Sequence, residues 1–145
     1  MENGRQTTWQ RTRTQIVAVG LIAYWTALCL GTHLPGGVVV APPVSDKLLH
    51  FAAYAGLSFL LALLAWCLGL RERRVYAAVL MISVCYGAID ELGQIPVPGR
   101  HADMADWNAD MLGAVAGLTL HWLAVRAAAL WGTAQVEQQE KPSPP

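Results

Sequence analysis

Charged and strongly polar positions are spread very unevenly along this chain, and the intervals between them are long and apolar. A helix crossing a bilayer needs roughly 20 predominantly apolar residues, and four stretches meet or approach that length. The first is Ile16 to Leu34, preceded by "RQTTWQRTRTQ" and stopped at Pro35. The second, "FAAYAGLSFLLALLAWCLGL", runs from Phe51 to Leu70 without a charge, and with its lead-in the helix is expected over 48–70. The third runs from Val75 to about Leu92, uncharged until Asp90, and the fourth from about Trp107 to Trp131, interrupted by Asp110, His121 and Arg126. The pattern predicts an all-α fold, a membrane bundle of four transmembrane helices. It divides the chain into an N-terminal tail (1–15), a membrane domain (16–131) and a polar, Pro-ended tail (132–145) expected to be disordered. A cleaved signal peptide is the alternative for the first span. Against it, Pro42 follows Ala41, the one suitable cleavage alanine, and Leu precedes Cys29 where a lipoprotein signal has a small residue.

Composition agrees. Charged residues make up 14% of the chain and hydrophobic ones 54%, whereas soluble domains carry about 25% charge. The formal net charge is zero, so no nucleic-acid partner is expected. Cys29, Cys67 and Cys85 stand singly in apolar runs and read as small buried hydrophobes, forming neither a disulfide frame nor a zinc site. The basic residues set the direction. Arg5, Arg11 and Arg13 precede span one, and Arg71, Arg73 and Arg74 fill the loop after span two; the two other loops offer Lys47 and Arg100. The positive-inside rule therefore predicts cytoplasmic termini, with which Arg126 agrees.

One stretch breaks the apolar pattern. "IDELGQIPVPGRHADMADWNAD", Ile89 to Asp110, holds five of the ten acidic residues, together with Gln94, Arg100 and His101. On the predicted topology it forms the outer end of span three, the second external loop and the outer start of span four. The first external loop leads into "DKLLHFAAY", where Asp46, His50 and Tyr54 recur every four residues and Lys47 lies three before His50, all on one helical face. On span three Tyr86, Asp90 and Gln94 recur every four, with Gly87 and Glu91 adjoining. On span four Asp106, Asp110, Gly113 and Gly117 share a face, and the two glycines form a small-xxx-small pattern suited to close helix approach. A charged side chain facing lipid costs several kcal/mol, so these stripes are expected to turn inward and meet in one polar layer. Arg100 is the expected cation for Glu91 or Asp110, folded back by Pro96 and the Pro98–Gly99 turn. Asp103 or Asp106 is expected to cap span four.

In that layer His50 with Asp46 reads as an acid/base pair, with Glu91 beside it; a histidine merely bonded to a neighbouring helix is the alternative. Lys47, Tyr54, Gln94, Arg100, Asp106 and Asp110 read as ligand-binding, the cations gripping phosphate or carboxylate. The same charges would also serve as an ion-pair lock on helix register. No cofactor is expected. Asp46, His50, Glu91, Asp103, Asp106 and Asp110 suit a divalent metal, the minor alternative, but no HExxH-like spacing exists and Arg100 would compete. His33, His101 and His121 read as singletons, His101 solvated and His121 packed. No serine has the setting of a nucleophile.

These residues resemble the VanZ-like family, small membrane proteins named after a teicoplanin-resistance protein. The family's D-K-x-x-H-F-x-x-Y element is matched by Asp46, Lys47, His50, Phe51 and Tyr54, its Glu-x-x-Gln by Glu91 and Gln94, and its Pro-Gly-Arg by Pro98, Gly99 and Arg100. The last element, D-x-x-x-N-x-x-G-x-x-x-G, is matched at Asp106, Gly113 and Gly117, but Asp110 stands where the family often has Asn. The resemblance spans about Asp46 to Gly117. It implies a bacterial multi-pass protein of the cell membrane and, from its namesake, lowered glycopeptide or lipoglycopeptide susceptibility; it supplies no reaction. The expected role is to bind or modify the headgroup of a membrane lipid or lipid-linked cell-wall precursor on the extracytoplasmic side. The alternatives are a non-enzymatic binding or shielding protein and a small transporter, the latter opposed by the nearly apolar inner halves of the spans.

Overall fold

The computed structural model describes residues 2–35 and 45–139. Within them the chain forms four α-helices, α1 (Glu2–His33), α2 (Asp46–Cys67), α3 (Arg73–Gln94) and α4 (Met104–Gln139). Each covers all or most of one expected apolar stretch, α1 ending one residue short of Leu34 and α2 three short of Leu70, and all four are long and apolar enough to cross a membrane. The outer two extend further than the hydrophobic pattern. Helix α1 begins inside the expected N-terminal tail, and α4 runs on through 132–139, where disorder was expected. The added turns of α4 include the good helix formers Ala134, Gln135, Glu137 and Gln138, and neither extension contains a proline, so a helix already nucleated in the membrane continues past its edge. Residues 140–145, the "VVVAPP" segment and the side chain of Arg5 lie outside the described residues.

Helix α2 stops where the chain can take a left-handed step. Gly69 adopts φ +82°, the Gly69 N–H donates to the Trp66 carbonyl at 3.0 Å, and the Leu70 N–H donates to that of Ala65 at 2.9 Å. Two carbonyls freed at the helix end are thereby satisfied. Cross-helix contacts then fix an up-and-down order. Tyr24 donates to the Ala53 carbonyl at 2.9 Å and Thr14 to that of Cys67 at 3.4 Å, making α1 antiparallel to α2. Ser58 bonds Ser83 at 2.9 Å while His50 lies 3.8 Å from Glu91, so α3 runs antiparallel to α2. Tyr76 bonds His121 at 2.9 Å while Trp107 donates to the Val84 carbonyl at 3.1 Å, so α3 is antiparallel to α4 as well. The start of α1 and the end of α4 consequently share one end of the bundle with Arg71, Arg73 and Arg74. The polar stripes lie at the opposite, distal end.

The α2–α4 interface is the largest, and small residues make it so. A Cβ added at Gly113 would strike the Phe51 carbonyl oxygen, and one at Gly117 that of Ala55. Without a hydrophobic drive between helices in lipid, such close backbone packing is a main source of association. Leu21, Leu28, Tyr54 and Leu57 join α1 to α2, while Ala62, Val79 and Leu118 fill the centre of the other three helices. Outward, Ile16, Val19, Ile22, Met81, Ile82, Leu112 and Leu120 are all more than half exposed. Such an apolar girdle is a lipid-facing surface, since in water it would aggregate. Cys29 and Cys85 lie on it and are exposed, not buried as expected; when lipid is the outer solvent, an apolar residue gains little by turning inward.

Candidate functional site

The distal end is organised around the start of α4. Asp103 accepts the Ala105 N–H at 2.8 Å through Oδ1, and its carbonyl accepts the Asp106 N–H at 3.0 Å, so it is the N-cap. Its own N–H donates to Glu91 Oε2 at 2.8 Å. A capping box normally takes that carboxylate from the third residue of the same helix; here α3 supplies it. Lys47 donates to Asp103 Oδ2 at 2.9 Å and to Asp106 Oδ1 at 3.0 Å, tying α2 to the same cap. The Ala105 amide, with Lys47 adding to it, holds the Asp103 carboxyl below the usual carboxylate range.

Beneath the cap lies a buried centre. His50 and Glu91 are each 6% exposed and Asp110 0%. His50 Nδ1 lies 2.9 Å from Asp110 Oδ1 and 3.8 Å from Glu91 Oε1. Tyr54, Asp90 and Gln94 close the layer from α2 and α3, all buried. Among the described residues, Tyr54 Oη, Asp90 Oδ2, Glu91 Oε1, Gln94 Nε2 and Asp110 Oδ2 have no hydrogen-bond partner. Buried polar atoms are normally paired, so such a concentration marks a place built for something other than packing. Gly87 helps to make room, because a Cβ there would lie 3.1 Å from Asp110 Oδ2.

Helix α1 closes the layer from the side. Thr32 donates to Asp90 Oδ1 at 2.9 Å, with His33 Nδ1 3.5 Å from the same oxygen. Gly99, at φ +79°, completes a turn in which the Arg100 N–H donates to the Val97 carbonyl at 3.1 Å. The turn delivers the Arg100 guanidinium to the Gly31 carbonyl at 2.6 Å and that of Leu34 at 3.5 Å, satisfying and neutralising the C-terminus of α1.

The structure thus brings His50, Tyr54, Glu91, Gln94, Asp106 and Asp110 into one layer with Lys47 at its rim, and changes two pairings. The carboxylate bonded to His50 is Asp110, not Asp46, which is exposed at the first turn of α2. The parallel α2–α4 packing on glycine sets Asp110 beside His50, while the i, i+4 spacing of Asp46 leaves it a turn further out. Arg100 meets carbonyls in place of Glu91 or Asp110; Lys47 supplies the cation for the acids of α4. Thr32 and His33 were not expected in the layer, although their place just before Pro35 put them at its depth. The Ser58–Ser83 bridge and the Trp107 indole, which donates to the Val84 carbonyl at 3.1 Å, likewise carried no signal. Phe59, Trp66 and Tyr76 surround His121, a packed residue as expected.

Among the described residues, a groove reaches this layer. It has a volume of about 230 Å³ and is lined by Ala88, Glu91, Leu92, Ala102, Asp103, Met104 and Trp107. Leu92 and Met104 are exposed, so it lies open along the lipid-facing side between α3 and α4. A family model described as VanZ/LLP1 matches residues 4–125. No curated protein and no solved structure matches the chain.

Proposed function

This chain belongs to the VanZ/LLP1 family, and from that premise we propose that it binds, at its distal layer, the headgroup of a membrane lipid or lipid-linked cell-wall precursor. The observation that carries the reading is the groove, whose wall is apolar except where it meets Glu91 and Asp103. A lipid fits both parts at once, its headgroup at the cap of α4 and its chains along Leu92, Met104 and Trp107. The layer faces the extracytoplasmic side in this proposal, since Arg11, Arg13, Arg71, Arg73 and Arg74 sit at the other end and arginines favour the cytoplasm. Sequestering a cell-wall precursor in this way lowers glycopeptide susceptibility.

The test is Glu91→Gln in cells made less susceptible by the protein. Loss of that phenotype at unchanged membrane abundance is expected. Equal loss of phenotype and abundance would assign the charges to a structural lock. A second reading, chemical modification of the headgroup, is favoured by the 2.9 Å contact of His50 with Asp110, the arrangement of a base oriented by a carboxylate. Under it, substrate bound by a purified His50→Gln protein would persist unchanged while wild type converts it. Passage through the bundle has less support, since Ala62, Val79 and Leu118 pack between the Ser58–Ser83 bridge and His121.

A further inference from the structure

We infer that His50, Glu91 and Asp110 form a binding site for one divalent transition-metal ion of the class of Zn²⁺ or Mn²⁺. One ligand atom from each residue lies within 4.8 Å of the other two, and all three residues are buried. With metal–ligand bonds of about 2.0–2.2 Å, ligand atoms around one ion sit about 3–3.5 Å apart. The 2.9 Å and 3.8 Å separations from His50 Nδ1 to Asp110 and Glu91 bracket that spacing, so small side-chain adjustments would seat an ion. One imidazole with two carboxylates is a mixed nitrogen and oxygen set, suited to Zn²⁺ or Mn²⁺ more than to Ca²⁺.

Two further observations point to a ligand here. Glu91 Oε1 and Asp110 Oδ2 are each buried with no hydrogen-bond partner among the described residues, and Gly87, lacking a Cβ, lets Asp110 pack close against α3. Local charge agrees. Asp90, Glu91 and Asp110 lie together buried in the distal layer, while Lys47 is engaged by Asp103 and Asp106 and Arg100 by two carbonyls. The competition from Arg100 that argued against a metal in the sequence is therefore removed by the fold. The neighbouring set of Asp46, His50 and Asp106 is geometrically similar, but Asp106 Oδ1 is committed to Lys47 and Asp46 is exposed. Three protein ligands leave coordination positions free; on the headgroup reading above, and resting on it, an ion there accepts phosphate oxygens that the bare acids would repel.

The experiment uses the full-length protein, purified in detergent after chelator treatment and equilibrated with ZnCl₂ or MnCl₂ without added lipid. Elemental analysis should find about one equivalent of bound metal. Pulsed electron paramagnetic resonance of the Mn²⁺-loaded wild type should show coupling to one imidazole nitrogen. His50→Gln, Glu91→Gln and Asp110→Asn should each weaken binding at least about tenfold, with folding checked by size exclusion and helical circular dichroism, while His101→Ala binds as wild type. No retained metal, no nitrogen coupling in the wild type, or wild-type affinity in all three variants overturns the site. Because only metal is added, those failures leave the headgroup reading standing, and a loaded site that binds no lipid sinks that reading alone.

Discussion

Gly113→Ala should pry α2 from α4 and pull the distal layer apart. The new Cβ would meet the Phe51 carbonyl oxygen inside contact distance and lie 2.9 Å and 3.0 Å from the Phe51 carbonyl carbon and Cα. An ordinary carbon–oxygen contact is about 3.3–3.6 Å, so the helices must separate by about 1 Å at this level. His50–Asp110 and Lys47–Asp106, at 2.9 Å and 3.0 Å, bridge the same two helices within two turns. An opening of about 1 Å takes both beyond hydrogen-bond range. Overpacking costs about 1–3 kcal/mol, and an interhelical hydrogen bond in a membrane protein is worth about 0.6–1.7 kcal/mol. Alanine returns about 1 kcal/mol through helix propensity, which leaves a net loss of about 1–5 kcal/mol. Reversible unfolding of the purified protein in bicelles reads this difference directly. Gly20→Ala is the control, because a Cβ there meets nothing within 4 Å, and it should be neutral or stabilising. A Gly113→Ala protein as stable as Gly20→Ala would refute the close-packed interface and, with it, the placement of Asp110 beside His50.

Arg100→Gln removes the cation from the last carbonyls of α1 and should lower stability by about 1–2 kcal/mol, seen in the same unfolding assay; a stable variant that loses metal or lipid binding would instead place Arg100 in the site. A double-mutant cycle on Ser58→Ala and Ser83→Ala should return a coupling of about 0.6 kcal/mol, and additive effects would mean that the bridge is absent. Asp103→Asn keeps a cap acceptor but loses the charge facing Lys47, so it should melt below wild type at neutral pH. Because the fold lowers the Asp103 pKa, that deficit should be complete above the ordinary aspartate value of about 3.9 and should fade as pH falls through the depressed folded value. A deficit that widens on acidification would refute the assignment.

The helices were legible in the chain because bilayer thickness imposes a length, and an uncharged run such as Phe51–Leu70 has few other uses. The distal layer was legible because ionisable groups at i, i+4 spacing can share only one face and cannot remain in lipid. Partner choice was not legible. That Asp110 and not Asp46 meets His50 depends on how far α4 slides along α2, which is settled by Gly113 and Gly117 abutting Phe51 and Ala55. Helical periodicity gives a residue's direction but says nothing about its height against a neighbour. The role of Arg100 was hidden for a related reason. The α1 carbonyls that bind it are backbone groups, present at every position and conspicuous in none. Helix ends were misjudged at α4 because hydropathy ends at the membrane edge while backbone hydrogen bonding does not.

The Arg100 contact also has a consequence for biogenesis. The carbonyls of Gly31 and Leu34 precede their cation by 69 and 66 residues. At a synthesis rate of about 5–20 residues per second, the first helix waits about 3–14 s before its clasp exists. Thr32 and His33 wait almost as long for Asp90. The distal end of α1 is therefore fastened late, although its contacts with α2 form sooner, and ribosomes stalled before Arg100 is made should carry that end still open to chaperones and proteases.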